Sequence, residues 1–446
     1  MGTFSNNFKT KIPAHSVVLI KTVEKMILVH EKIKELYGET PKTLEHQKKR
    51  YKQIITKHLN NFGNTKGVFF STPGRVELSG NHTDHNSGKV LSAAINLDTI
   101  AFADKTENNL VTLYSEKYKK PFIVDLQNLE INKEETGSTS ALIRGVAKSL
   151  ANMGYNIGGF NATVTSNVMI GSGLSSSASI EILLGTIFNY FFNSSKISPL
   201  ELAKAGQFAE NIFFGKPCGL MDQLTIAFGG ITKIDFKNPE FPVVKKIDFN
   251  FSETGYRMVV VNTGGNHEDL TDDYASIPSE MKAVAKALGK NVCRKINYKM
   301  VLANMQLLRS EIGDRAILRT LHFFEENNRI ENLSNALINN DFNNFLKLIT
   351  DSGNSSFKWL QNIYSPTNPK NQSISIALAV TEKMLGKEGA YRVHGGGFAG
   401  TILVFLPFKK VNEYKNTMEA VFGKNSVIEL SIRECGPYVF MPSENI

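Results

Sequence analysis

The stretch Gly171-Ser172-Gly173-Leu174-Ser175-Ser176-Ser177-Ala178 sets two glycines and four serines between a strand-like run and a helical one. Glycines let the backbone approach a ligand closely and adopt φ > 0. A helix N-terminus behind them offers unpaired amide N–H groups and positive partial charge. Serine hydroxyls add donors, so the stretch reads as a phosphate cradle. Ser177 is placed to reach a metal ion held on the phosphates. A plain helix cap at a tight turn also uses Ser and Gly, but their density here exceeds what one cap needs. The pattern is no Walker loop, because no Gly-Lys-Ser or Gly-Lys-Thr follows. Its glycine spacing is not that of a dinucleotide fingerprint, and the His-Arg-Asp and Asp-Phe-Gly signatures of protein kinases are absent.

Three further segments carry reactive side chains. Between two strand-like runs, Pro73 to Gly88 crowds Arg75, His82, Asp84 and His85 into one connection, suited to binding hydroxyls or stabilising negative charge. The competing reading is a hydrogen-bonded turn, since Asn, Asp and Gly are turn residues. A metal site on His82, Asp84 and His85 lacks a second ligand cluster at suitable spacing. In Cys218-Gly-Leu-Met-Asp-Gln223, Asp222 is a cap or a paired carboxylate by itself and a candidate general base beside a phosphate cradle. His394-Gly-Gly-Gly-Phe-Ala-Gly400 serves equally as a flexible strand connection or as a place where a ligand nears the backbone.

The elements that must position these groups follow from periodicity. An amphipathic helix is expected over Val17 to Tyr37, and a second one ends at Asn61, with Phe62-Gly63 as its stop. Strands are expected at Val68 to Ser71, within Val90 to Phe102, at Phe160 to Val168 and at Arg257 to Val261. Helical patterns cover Ala141 to Met153, Ser175 to Phe192 and Leu200 to Phe214, and dominate from Glu280 to Leu348. Strand, Gly-rich turn and strand return over Tyr391 to Phe405. Strands and helices in mixed runs point to an α+β protein rather than regular βαβ units, with a boundary near Gly230 to Asp248.

Composition narrows the class. At 446 residues and about 150 per domain, two or three domains are expected. Hydrophobic residues at 41% and charged ones at 21% exclude a disordered or fibrous chain. Three separate cysteines, Cys218, Cys293 and Cys435, form neither a zinc pattern nor a disulfide framework. No apolar run approaches the roughly 18 residues a membrane span needs. A cytoplasmic protein without membrane or nucleic-acid partners is expected. The excess of 51 Lys and Arg over 42 Asp and Glu is compatible with an anionic ligand. The basic run Lys48-Lys49-Arg50 reads as the solvated face of a helix.

Taken in order, these blocks resemble the GHMP kinase superfamily, and specifically the galactokinases. Pro73 to Ile95 is similar to the galactokinase signature, in which Gly-Arg precedes a Gly-Glu-His-Thr-Asp-Tyr-Asn core. Gly171 to Ser179 resembles the family's phosphate loop, Glu210 to Gln223 its Ala-Glu…Cys-Gly-Ile-Met-Asp-Gln segment, and Gly395 to Gly400 its C-terminal Gly-rich motif. Asn262 to Lys290 resembles, more loosely, the segment carrying a sugar-contacting tyrosine, here Tyr274. The resemblance runs from about residue 45 to 440. It implies a two-lobed fold with the site in the cleft, divided as an extension over 1–44, an N-terminal lobe over 45–240 and a C-terminal lobe over 241–446. It implies ATP and Mg²⁺ as cofactors and a small-molecule sugar as substrate; the sequence leaves the oligomeric state open, a monomer being favoured.

The resemblance also implies roles. Asp222 is the base at the anomeric hydroxyl. Arg75 stabilises charge on the transferred phosphoryl group and holds Asp222 ionised. Gly171, Ser172, Gly173, Leu174, Ser175, Ser176 and Ser177 wrap the nucleotide phosphates, and Ser177 with Glu210 holds Mg²⁺. Asn81, His82, Asp84, Gly219 and Tyr274 contact the sugar. Four positions depart from the family pattern. Asn81 replaces the signature Glu, Glu77 replaces the Asn of Gly-Arg-Val-Asn, His85 replaces a Tyr, and Met169 replaces a Pro before the phosphate loop. Glu at 81 would repel a C6 carboxylate and Asn would not, so a galacturonate kinase stands beside a galactose 1-kinase. A catalytically silent sugar and ATP sensor and a metal hydrolase are the readings from other classes.

Overall fold

The computed structural model describes residues 30–38, 40–63, 66–169, 171, 173–264, 270–398 and 400–441. Among the described residues, twelve strands build two sheets. In chain order they are β1 Val68–Ser79, β2 Lys89–Lys105, β3 Leu110–Ser115, β4 Phe122–Asp125, β5 Phe160–Ser166 and β6 Ile231–Asp235, followed by β7 Val243–Ile247, β8 Tyr256–Asn262, β9 Ala390–His394, β10 Thr401–Pro407, β11 Val427–Leu430 and β12 Tyr438–Phe440. The larger sheet runs β12-β1-β2-β5-β3-β4, with β6 also on β2 and β7 beside β6; the smaller runs β11-β8-β10-β9. Only β3 with β5 is parallel in the larger sheet.

Both faces of β1 and β2 are covered, which is why all twelve residues of β1 are buried. Neighbouring strand residues point to opposite faces. Phe70, Ala101 and Ala103 therefore face one core, with the helices Thr139–Asn152, Ser176–Asn193 and Pro199–Phe208. Phe69, Ile100 and Phe102 face the helix Pro41–Phe62. That helix begins at Pro41 after Thr40, whose hydroxyl accepts from the Thr43 amide, and ends at Gly63 with φ 68, as the sequence predicts. A third core, from Val76 and Leu91 to Val260 and Phe405, joins the two sheets.

Strand β7 lies beyond residue 240 yet pairs with β6, and β12 returns to pair with β1, Phe69 opposite Phe440. At the other end, Ile33, Leu36 and Leu44 pack in the same core as Phe69 and Phe102. Of the helix expected over Val17 to Tyr37, His30–Tyr37 is seen; its earlier part lies outside the described residues.

Lys48-Lys49-Arg50 is not a uniform solvated face. Lys49 is exposed, but Arg50 is only 6% exposed. On this helix Gln47, Arg50, Tyr51 and Ile54 fall on the inward stripe, and the fully buried Asp98 of β2 waits opposite, with Arg50 Nη1 2.5 Å from its Oδ1. A buried carboxylate needs a cation there. Among the described residues, no helix is long and apolar enough to cross a membrane.

Candidate active site

Strand β1 delivers the first reactive group. Its register against β2 shifts between Pro73 and Arg75 and again between Glu77 and Ser79. Such bulges re-aim side chains, and here Arg75 and Glu77 both reach the cleft. Arg75 donates twice to Asp222, from Nε to Oδ1 at 2.8 Å and from Nη2 to Oδ2 at 2.7 Å. It also donates to the Gly173 carbonyl, and the Ser175 hydroxyl donates to Asp222 Oδ2. Asp222, in the first turn of the helix Met221–Phe228, is 29% exposed. Three donors from the described residues meet its carboxylate, which offers about four acceptor positions; Oδ1 holds one of them.

The Gly-Ser stretch folds as the link between β5 and the helix Ser176–Asn193. Gly171 and Gly173 take φ 73 and 70, and Ser175 takes φ 61. At Gly173 a Cβ would press within 3.1 Å of His394 and Thr401, so the turn needs glycine on both counts. Ser175 occupies the cap position without a side-chain cap bond, because its hydroxyl goes to Asp222. Among the described residues no serine side chain caps the first-turn amides of this helix, which are therefore available to an anion. Ser172 lies outside the described residues. Leu174 is buried and its carbonyl accepts from the Arg75 amide at 3.1 Å.

Glu210 sits where the helix Pro199–Phe208 widens into the π-helical turn Ala209–Phe214, an irregularity common at functional sites. Its Oε1 accepts from Ser177 Oγ at 2.9 Å, and its Oε2 from Gln223 Nε2 at 3.1 Å. Gln223 also donates to Glu181 Oε2 at 2.9 Å. Burial, with the charge of Glu210 next, pushes the Glu181 carboxyl well above the usual range. Ser177 and Glu210 thus bring two hard oxygen ligands together, which fits an ion that keeps water and phosphate oxygens as its other ligands. Burial and Glu210 push the Cys218 thiol up, so it is no thiolate nucleophile.

A cleft of about 150 Å³ opens beside Asp222, walled among others by Arg75, Glu77, Asn81, His82, Asp84 and Gly219. Asn81 is 1% exposed. Its Nδ2 donates to Glu77 Oε1 at 3.1 Å and to the Gly395 carbonyl at 2.7 Å, while its Oδ1 accepts from Asn362 at 2.6 Å. Glu77 is paired with the fully buried Arg392, 2.9 Å away; burial raises its carboxyl despite the pull of Arg392. His394 Nε2 accepts from the Glu77 amide at 3.1 Å, and burial with the charges of Arg75 and Arg392 keeps that ring neutral. His82, at φ 58, donates from Nε2 to the Gly396 carbonyl at 2.9 Å. Burial lowers its pKa to about 4, so Nδ1 is a free acceptor. A Cβ on Gly219 would lie 2.0 Å from Asp84 Oδ2.

The structure therefore gathers Arg75, Asp222, Asn81, His82, Asp84 and Gly219 around one cleft, with Gly173 and Ser175 bonded to its edge. Tyr274 is not among the cleft walls. Its ring lies against Gly396, and its hydroxyl donates to the Gly397 carbonyl at 3.0 Å. Sequence reading missed Glu77, Arg392 and Asn362 as site residues. The only signal was Glu77 itself, an acid where the resembling family has Asn. Among the described residues, no three His, Cys, Asp or Glu side chains are grouped to hold a metal.

Comparison with known proteins agrees with this geometry. Residues 141–230 match the profile described as GHMP kinases N terminal domain, and residues 56–105 the galactokinase galactose-binding signature. A Clostridium tetani galactokinase is 30% identical over 362 residues, 80% of this chain and 88% of that one. A Clostridium acetobutylicum galactokinase is 31% identical over 380 residues, 84% and 92%. In fold, the crystal structure of Lactococcus lactis galactokinase complexed with galactose matches 88% of this chain and 100% of its own with a TM-score of 0.75 at 24% identity. A mevalonate kinase matches 82% and 99% with a TM-score of 0.59 at 20% identity. On that identity and coverage, the chain belongs to the galactokinase family of GHMP kinases and is a sugar kinase.

Proposed function

We propose that this sugar kinase transfers the γ-phosphoryl group of ATP to the anomeric hydroxyl of D-galactose. The observation that carries the reading is Asp222 itself: it lines the cleft, is 29% exposed, and receives from the described residues three donors against about four acceptor positions. Asp222 takes the proton of the anomeric hydroxyl as that oxygen bonds the γ-phosphorus, and the bond to the bridging oxygen breaks to release ADP. Arg75 faces the charge that develops on the phosphoryl group. Gly171, Gly173 and the first-turn amides of Ser176–Asn193 hold the nucleotide phosphates. Ser177 and Glu210 are the residues that would hold Mg²⁺, which neutralises phosphate charge when bound. Positioning and charge neutralisation supply most of the catalysis in such transfers.

On the sugar side, both Asn81 amide hydrogens are already engaged, which leaves Asn81 Oδ1, Glu77 and His82 Nδ1 as acceptors for hydroxyls. The exchange at 77 and 81 keeps one carboxylate in the pocket and moves it four residues back. That favours a neutral hexose over galacturonate, whose own carboxylate would meet Glu77. Release of ADP with Mg²⁺-ATP and galactose, galacturonate, N-acetylgalactosamine, glucose or arabinose tests this. Galactose should give the highest kcat/KM. A higher value for galacturonate would overturn the sugar assignment, and sugar-dependent ATP binding without turnover would replace the enzyme with a sensor.

A further inference from the structure

A second pocket, about 290 Å³ in volume, lies on the opposite face of the larger sheet, between the helix Pro41–Phe62 and β5. His46, Lys49, Arg50 and Lys57 enter it from the helix, and Glu116 and Thr165 from the sheet. The charge behind it is unbalanced. Arg50 and Arg433, both buried, share the single carboxylate of Asp98, at 2.5 and 3.4 Å. At the rim, Lys57 is 2.5 Å from Glu116, which also accepts from Thr165 Oγ1 at 2.6 Å, while Lys49 makes no ion pair with a described residue. Among the lining residues, Lys49, Arg50 and Lys57 thus stand against one carboxylate, Glu116.

Arg50 supplies the second observation. A guanidinium has five N–H donors. The two terminal nitrogens of Arg50 bond Gln47, Asp98 and the Thr165 carbonyl. Its Nε is buried and has no partner among the described residues. A tetrahedral oxyanion carries acceptors in several directions, so one group at the pocket wall can face the Arg50 guanidinium and the Lys49 ammonium together.

We propose that this pocket binds the phosphate group of a small anion, at a site separate from the phosphate loop. The volume is at the lower end of the range for small-molecule sites, enough for a free phosphate or a sugar phosphate. Titration calorimetry on the full chain with inorganic phosphate and with glucose 6-phosphate tests it. Expected is a Kd of roughly 0.1–1 mM for at least one probe, raised tenfold or more by Lys49→Glu and unchanged by Ser177→Ala. Tighter binding of glucose 6-phosphate assigns the pocket to sugar phosphates, and equal binding assigns it to free phosphate. Lys49 is exposed and outside the catalytic cleft, so Lys49→Glu should phosphorylate sugar at the unaltered rate when no added anion is present. Binding that Ser177→Ala removes and Lys49→Glu leaves intact would overturn the proposal. So would the absence of binding by either probe at about 20 mM.

Discussion

Asp222 and Asp98 hold the same chemistry in two settings. Each is a carboxylate gripped by arginine and by a serine hydroxyl, and each ties together segments distant in the chain. Asp98 receives Arg50, Arg433, Ser71 and Tyr37, and no part of it is exposed. Asp222 receives Arg75 twice and Ser175, and it is 29% exposed. Four donors saturate a carboxylate and three do not. A single missing donor, facing a cleft, separates a group suited to taking a proton from one that only holds the lobe together. The mirror image appears on the cationic side: Arg75 faces the cleft, whereas Arg50 keeps an unused donor behind it.

This contrast can be broken most severely at Asp222. Asp222→Ala should lower kcat roughly a thousandfold or more while costing less stability than Asp98→Asn, because only one guanidinium loses its carboxylate and Asp222 is 29% exposed. Near-normal turnover would remove Asp222 from the base role. Asp98→Asn should do the reverse. It leaves two buried guanidiniums without their carboxylate and should cost about 3–5 kcal/mol in urea unfolding, with kcat per folded molecule within about twofold. If Asp98→Asn lowers kcat more than stability, the division between the two carboxylates fails. Arg75→Lys keeps a charge but loses the two-pronged grip, and should reduce kcat about a hundredfold.

A finer test exchanges the polar pair. Glu77→Asn with Asn81→Glu should change the galactose to galacturonate ratio of kcat/KM by about tenfold relative to either single variant; an unchanged ratio would remove both from sugar selection. The smallest expected effect is on acid stability. Folded His82 titrates at about 4 against an ordinary 6.5, so between these values the unfolded chain binds a proton that the folded one refuses. Its contribution is complete above the unfolded value and is lost as pH falls toward 4. Unfolding free energies at pH 7 and 5 should differ, and His82→Gln should narrow the gap by about 2 kcal/mol.

What the sequence disclosed was local. The Gly-Ser turn into the helix Ser176–Asn193 was legible because its glycines, serines and following helix lie within a few residues, and Gly63 marked its helix end for the same reason. Asp222 was legible mainly through resemblance, since one carboxylate among apolar residues has no periodic signal. The pairing of Glu77 with Arg392 was out of reach, because the partners meet only when β1 and β9 are brought together across the lobes. Arg50 misled for a related reason: a basic run reads as surface unless the buried acid across the fold is known. The lobe limits were obscured by β7 and β12, short strands whose pairing is decided by the sheet and not by their own pattern.

The pairing of β12 with β1 has a consequence for the order in which a ribosome makes this chain. Phe69 is synthesised long before Phe440, its cross-strand neighbour, and Asp98 long before Arg433. At about 5–20 residues per second, the nascent N-terminal lobe waits on the order of half a minute with an open strand edge. Open edges invite pairing with other chains, so the interval before Tyr438–Phe440 emerges is when this protein most needs a chaperone. Slow codons in the C-terminal lobe would lengthen that exposure and reduce yield without altering a single contact of the finished enzyme.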